Sequence, residues 1–223
     1  DFAVATSRVG KFLGYHVTVC DARPMFATVE RFPDADRVEV AWPHEFLRSH
    51  PPDARTVIAV LTHDPKFDVP LLELALRTNA AYVGAMGSRR THEERLTQLR
   101  ERGLTADQLA RLRSPIGLDL GARTPEETAI SIAAEFIAMR WGATGLPLAR
   151  LDTPIHGHAP NAGFNGLAPP QVSSSLRSPP PKEPSRSLVK VGVGSVDRGP
   201  GSGLKGAIAG PIHGRRPVTW KGR

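Results

Sequence analysis

The chain has 223 residues, no initiator methionine and a single cysteine, Cys20. One cysteine excludes a disulfide framework and any cysteine-built zinc or iron–sulfur site within the chain. The formal charge is +7, but it is unevenly placed. Residues 1–150 carry 19 basic and 19 acidic side chains, whereas residues 151–223 carry 10 and 3. Gly and Pro follow the same division, with 19 in the first part and 23 in the second. These numbers predict a folded domain over 1–150 and a basic, Gly/Pro-rich disordered tail over 151–223. The basic balance belongs to that tail, and no basic stripe with interleaved aromatics runs through the first 150 residues, so nucleic acid is not an expected partner. The longest purely apolar run, Val57 to Leu61, is far short of the ~18–20 residues a membrane span needs. No secretory signal opens the chain, and a cytoplasmic protein is the expectation. Because translation cannot start at Asp1, the sequence reads as a fragment, a processed product or an incomplete gene model.

In chain order, Phe2, Ala5, Val9 and Phe12 recur at helical spacing and Gly14 follows as a stop. Tyr15 to Cys20 reads as a strand, and Arg37 to Trp42 as a weaker one. Thr56 to Leu61 is a continuous apolar run, expected of a strand buried on both faces. Asp68 is positioned to cap a helix carrying Leu71, Leu72, Ala75 and Leu76. Ala80 to Val83 is a further strand, followed by a helix over roughly Ser88 to Arg102. Thr105 to Gln108 and Thr124 to Glu127 are capping boxes, the second with Pro125 at the first helical position. Strands alternating with helices predict an α/β domain, a parallel sheet covered on both faces. After Leu151 no period is sustained.

In such a sheet ligands sit beyond the carboxyl ends of the strands. Asp21 ends the first strand, where an acidic side chain can hold a ribose hydroxyl pair or simply shape a turn. Arg23 can receive a phosphate or pair with Asp21. Thr62, His63 and Asp64 follow the most buried strand; acid–base work, ligand contact and a polar turn opened by Asp64-Pro65 are all open readings. Tyr82 to Arg90 is strand, glycine-bracketed turn and helix start. Gly84 and Gly87 let backbone approach an anion. Ser88, Arg89 and Arg90 add donors at a helix N-terminus. The alternative there is an ordinary turn with Ser88 as N-cap. Arginines in a first helical turn oppose the helix dipole, which asks for another reason for their presence. No catalytic residue and no metal-ligating set stands out.

Four segments together carry a resemblance: Val19 to Pro24, Thr62 to Asp68, Tyr82 to His92 and Pro115 to Glu127. In this order and spacing they resemble the xanthine dehydrogenase accessory protein family, XdhC/CoxI-like, from Asp1 to about His156. The resemblance implies a Rossmann-like doubly wound parallel sheet, the C-terminal half of full family members. It implies an accessory protein that binds molybdenum cofactor (molybdopterin) as cargo. Such a protein assists the cofactor's maturation or its insertion into molybdenum hydroxylases of the xanthine or carbon monoxide dehydrogenase type. Asp21 and Arg23 would line a nucleotide-like pocket. Thr62, His63 and Asp64 would form its wall, and Gly84, Gly87, Ser88, Arg89 and Arg90 its anion cradle. The expected partner is a hydroxylase apoenzyme; a cysteine desulfurase and a second copy of the chain are further candidates. Binding and delivery rather than turnover is expected. The alternative is an NAD(P)-dependent oxidoreductase, although no Tyr-x-x-x-Lys pair is present. The family's first strand and Gly-rich turn would lie before Asp1, so the sheet is expected to lack its central strand.

Overall fold

The structure is a computed structural model that describes residues 1–152, residue 155 and residues 186–191, the last as backbone. The expected elements form at or near the expected places. Helix α1 is Phe2–Phe12, β1 Tyr15–Asp21, β2 Arg37–Val40, β3 Val57–Val60, α3 Pro65–Leu76, β4 Tyr82–Ala85, α4 Arg89–Glu101, α5 Ala106–Ala110 and α6 Pro125–Trp141. Two short elements go beyond the expectation: α2, Pro43–Ser49, and β5, Leu112–Arg113. A third is β6, Arg186–Val191, from the far end of the chain.

The six strands form one sheet in the order β2-β1-β6-β3-β4-β5, and every neighbouring pair is parallel. With β6 in the third place this is the Rossmann order. The doubly wound parallel fold is as expected, but the central position is not empty. Arg186–Val191 lies between β1 and β3, in the place expected of a strand preceding Asp1. The expectation of a tail without regular structure is therefore corrected at these six residues. Apart from residues 151, 152 and 155, its other positions, including His156 and His158, lie outside the described residues.

The sheet buries its two faces against different helices, and the strand period of two explains how. In β3, Val57 and Ala59 face one side with Tyr15, Val17, Val19 and Tyr82, packed under Ala3 of α1 and Ile132 and Phe136 of α6. Ile58 and Val60 face the other side with Val83 and Ala85, packed under Phe46 and Leu47 of α2, Leu71, Leu72 and Leu76 of α3 and Leu99 of α4. All four β3 residues are fully enclosed, which is why this strand reads as an unbroken apolar run.

Capping fixes where the helices begin. Thr105 and Thr124 complete their capping boxes with Gln108 and Glu127. Helix α6 ends on Gly142 in the left-handed conformation, φ +64°, which a residue without Cβ adopts at little cost. Helix α3 corrects one expectation. Its N-cap is Asp64, whose carboxylate accepts from the Lys66 backbone N–H, with Pro65 at the first position. Asp68 lies one turn inside, where it is free for another partner. Among the described residues no helix is long and apolar enough to cross a membrane.

Candidate functional site

Because all six strands are parallel, the carboxyl ends of β1, β3 and β4 reach the same edge of the sheet. Asp21, Thr62 and Met86 leave their strands there. The edge is bound together by one buried arginine that the sequence does not single out. Arg95 of α4 reaches back over the strand ends. Its Nη2 donates to Asp68 Oδ2 at 2.9 Å and to the Met86 carbonyl at 3.1 Å, and its Nη1 donates to Ser114 Oγ at 3.1 Å. Asp68 also accepts from the Thr62 hydroxyl. The ends of β3, β4 and β5 are thus tied to α3 and α4 through a single guanidinium. Burial pushes the Asp68 carboxyl up to about 6, against the pull of Arg95.

The Thr62–Asp64 segment divides three ways. Thr62 is buried and donates to Asp68. Asp64 is occupied as the α3 cap. His63 is exposed and lines a small cleft of about 30 Å³ with Pro65, Thr91, Glu94 and the buried Asp68–Arg95 pair.

At the end of β1, Asp21 is buried and holds Arg23 in a fork. Arg23 Nε lies 2.9 Å from Oδ1 and Nη2 lies 2.9 Å from Oδ2, and the Arg23 backbone N–H donates to Oδ1 at 3.0 Å. The hydrogen bond to Asp21 holds the guanidinium pKa above its ordinary value. Of the two readings for Arg23, the structure shows the pair with Asp21. A ribose would have to share a carboxylate whose two oxygens already accept from arginine. The guanidinium carbon also sits over two rings, 4.5 Å from the Phe26 centroid and 5.3 Å from Phe67. Lys66 lies 5.2 Å from the Trp42 ring centroid, and the Trp42 and Phe67 rings meet at a tilt of 34° with centroids 5.1 Å apart. This cationic–aromatic shelf joins the ends of β1 and β2 to the start of α3.

The turn after β4 separates its two glycines. Gly84 is inside the strand, paired with Ala59 and Arg113. A Cβ there would stand 2.6 Å from Ile116 Cδ1, so the glycine gives room to a neighbouring side chain. Gly87 is in the turn itself with φ +153°, and a Cβ there would meet the Thr91 side chain at 3.2 Å. Ser88 caps α4, accepting from the Thr91 N–H. Arg90 pairs with Glu94 on the surface. Arg89 is exposed and makes no ion pair among the described residues. Two first-turn amides and the exposed Arg89 thus adjoin the half-buried Gly87, where an added Cβ would stand 3.5 Å from Arg95 Nη1, an arrangement suited to an anion. No group of acidic, His and Cys side chains able to hold a metal ion occurs among the described residues.

Comparison with known proteins agrees with this architecture. The chain is 31% identical over 127 residues to a probable xanthine dehydrogenase subunit of Bacillus subtilis, covering 57% of this chain and 36% of that protein. It is 35% identical over 88 residues to the molybdenum cofactor insertion chaperone PaoD of Escherichia coli, covering 40% and 28%. The chain therefore spans about a third of the length of these curated relatives. Among solved structures, a xanthine dehydrogenase from Bacillus halodurans matches with a TM-score of 0.54 and 31% identity, over 62% of this chain and 39% of that one. The family described as the XdhC Rossmann domain matches residues 1–136, and the chain belongs to that family.

Proposed function

We propose that this chain acts as a cofactor-handling accessory module: it binds molybdenum cofactor as cargo at the carboxyl edge of its sheet and passes it to a molybdenum hydroxylase apoenzyme. The observation that carries this reading is family membership through the same segments that build the edge. A relative named as a molybdenum cofactor insertion chaperone supports it. In this reading Arg89, Arg90 and the first-turn amides of α4 receive the cofactor's phosphate. Gly87 lets the backbone approach, and His63 and the Asp21–Arg23 pair border the ring system. A cysteine desulfurase would act as sulfur donor, and a second copy of the chain as a further partner.

The test is a titration of the full chain with molybdopterin, read by intrinsic fluorescence. Charge-assisted contacts contribute about 1.5–3 kcal/mol each. Replacing Arg89 and Arg90 together by Ala should weaken binding at least ~10-fold, since ~1.4 kcal/mol is a factor of ten. Unchanged affinity would reduce both to surface residues. A chain that takes up NADPH and leaves molybdopterin unbound would redirect the reading to an NAD(P)-dependent oxidoreductase, for which Asp21 at the end of β1 is the supporting feature.

A further inference from the structure

Helix α4 lines two different clefts. Thr91, Glu94, Arg95 and Gln98 recur at three- and four-residue spacing and face the small cleft beside His63. His92, Leu96 and Arg100 recur every four residues on another side of the helix. They line a second, larger cleft against Ala106, Leu109 and Ala110 of α5 and Leu112 of β5. Its volume is about 360 Å³, room for roughly a dozen non-hydrogen atoms at the ~30 Å³ share of a water molecule. The walls are mostly apolar, as those of ligand clefts are. Two polar side chains stand in it, their backbones about 12 Å apart along the axis at ~1.5 Å per residue. Arg100 is exposed, and its guanidinium has no ion pair or hydrogen-bond partner among the described residues. It can only donate. His92 Nδ1 is sealed from solvent without a partner. Buried N–H groups left unpaired are rare in folded proteins, so the ring proton belongs on Nε2, and His92 also presents a donor. No acidic side chain lines the cleft.

We propose that the cleft between α4 and α5 binds an elongated apolar carboxylate, with its carboxylate on Arg100, its chain over Leu96, Leu109 and Leu112, and a second acceptor oxygen on His92 Nε2. The lining selects this chemistry by elimination. A compact oxyanion would satisfy Arg100 but leave the leucine floor uncovered. A purely apolar molecule would cover the floor but take two donors out of water without partners, which is costly. A cation would meet Arg100 with no carboxylate to offset the repulsion. The site is separate from the anion cradle, because the Arg95 network lies on another side of α4. The two are nevertheless neighbours along the helix. The His92 N–H donates to the carbonyl of Ser88, the α4 cap, at 2.9 Å, so the cleft begins one turn from the cradle. The proposal does not rest on molybdenum cofactor as cargo and stands or falls separately.

The experiment is an NMR titration of the full chain with three eight-carbon probes: octanoate, octanedioate and octyltrimethylammonium. It is read at the Leu96, Leu109 and Leu112 methyl groups. Ile132, in the core on the opposite face of the sheet, is the unaffected reference. Octanoate should saturate with a Kd of about 1 mM or tighter. Octanedioate should bind more tightly still, and the cationic probe should not saturate. Arg100→Gln should weaken both acids about fivefold, the upper range for an ion pair at an exposed side chain. His92→Phe keeps a ring in place and removes the donor, so it should bring octanedioate back to the affinity of octanoate and leave octanoate unchanged. Ala110→Glu, at an exposed position, sets a carboxylate in the cleft and should abolish binding of both acids while thermal unfolding stays the same. Methyl shifts that rise without saturation would overturn the proposal. So would octyltrimethylammonium binding as tightly as octanoate, or an octanoate affinity that Arg100→Gln leaves unchanged.

Discussion

Arg95 and Asp68 form an ion pair sealed from water: Nη2 and Oδ2 are 2.9 Å apart, and the two side chains are 4% and 1% exposed. The pair is satisfied rather than merely close. Arg95 also serves Met86 and Ser114, and Asp68 also accepts from Thr62. Breaking a buried pair by removing one partner leaves an uncompensated charge and typically costs about 3–5 kcal/mol. Arg95→Met should therefore destabilise the fold by about that amount at neutral pH, measured by urea unfolding. A loss below ~1 kcal/mol would mean that water reaches the site.

The same pair sets a pH dependence. The folded Asp68 carboxyl titrates near 6 because burial opposes its charge, against 3.8 for an unperturbed group. Its folded pKa is raised, so the folded state binds the proton more tightly. That contribution to stability is fully present below about 4 and is lost as pH rises through about 6. The loss is at most about 3 kcal/mol, at ~1.4 kcal/mol per unit. Asp68→Asn keeps an acceptor for Arg95 and does not titrate. Wild type minus Asp68→Asn stability should thus fall between pH 4 and 7. Asp36 acts in the opposite sense. Burial pushes its carboxyl up, but the hydrogen bonds from Lys11 and the Val17 N–H outweigh burial and hold it below 3.8. Its contribution disappears on the acid side instead. A difference curve flat over this range would remove Asp68 as the titrating group.

Cys20 should be inert in the folded protein. Its thiol is fully buried and donates to the Ala41 carbonyl at 3.4 Å. Burial, with help from the Asp21 and Glu39 charges, pushes its pKa up to about 12. The thiolate is the reactive form, so both access and ionisation are suppressed. A disulfide exchange reagent at pH 8 should label Cys20 only at the rate of unfolding, and immediately in denaturant. Fast labelling of the native chain would place Cys20 at an opening edge of the sheet.

The legible parts of this fold are those where one local signal suffices. The apolar run at Val57 to Val60 and the Thr124 capping box mark a strand and a helix whatever surrounds them. Helix α4 is readable from Ser88, although it carries little apolar surface. What escapes the sequence depends on partners distant in the chain. Arg95 looks like any charged residue of a solvated helix until Asp68, 27 positions earlier, is brought against it. Asp68 reads as a cap because it precedes the leucines of α3, but Pro65 moves the helix start one turn back to Asp64. Strand β6 is six residues within a Gly/Pro-rich stretch, too short for a period to stand out. Its place in the sheet comes from pairing with β1 and β3, both distant in the chain. At the candidate site, the strand-end positions are visible because a parallel sheet places them together. The occupation of Asp21 by Arg23 and of Thr62 by Asp68 is not, since either side chain could as well have faced a ligand.

Gly84 offers a way to separate a packing role from an anion-binding role. A Cβ at this position would lie 2.6 Å from both Ile116 Cδ1 and Cγ1, and 2.7 Å from Tyr82 Cε1. Tyr82 is enclosed in the core and cannot move aside. Ile116 is half-buried, on the segment after β5, and its N–H donates to the Ala85 carbonyl at 3.1 Å. Gly84→Ala must therefore push Ile116 outward, and overpacking of this kind costs about 1–3 kcal/mol. Ile116→Ala removes the Ile116 part of this clash and leaves the Tyr82 contact, so the two changes compensate in part. The double variant should be more stable than the sum of the single losses by about 1 kcal/mol or more, a coupling expected of residues in contact. Urea unfolding of the four proteins measures it. The displacement also bears on the cradle, because Ile116 follows Ser114, which Arg95 holds together with Met86. If Gly84 is there for packing, Gly84→Ala lowers stability and weakens molybdopterin binding only as far as this network is disturbed, and Ile116→Ala recovers part of both. If Gly84 is there to let an anion approach, stability survives the added methyl, binding is lost, and Ile116→Ala rescues nothing.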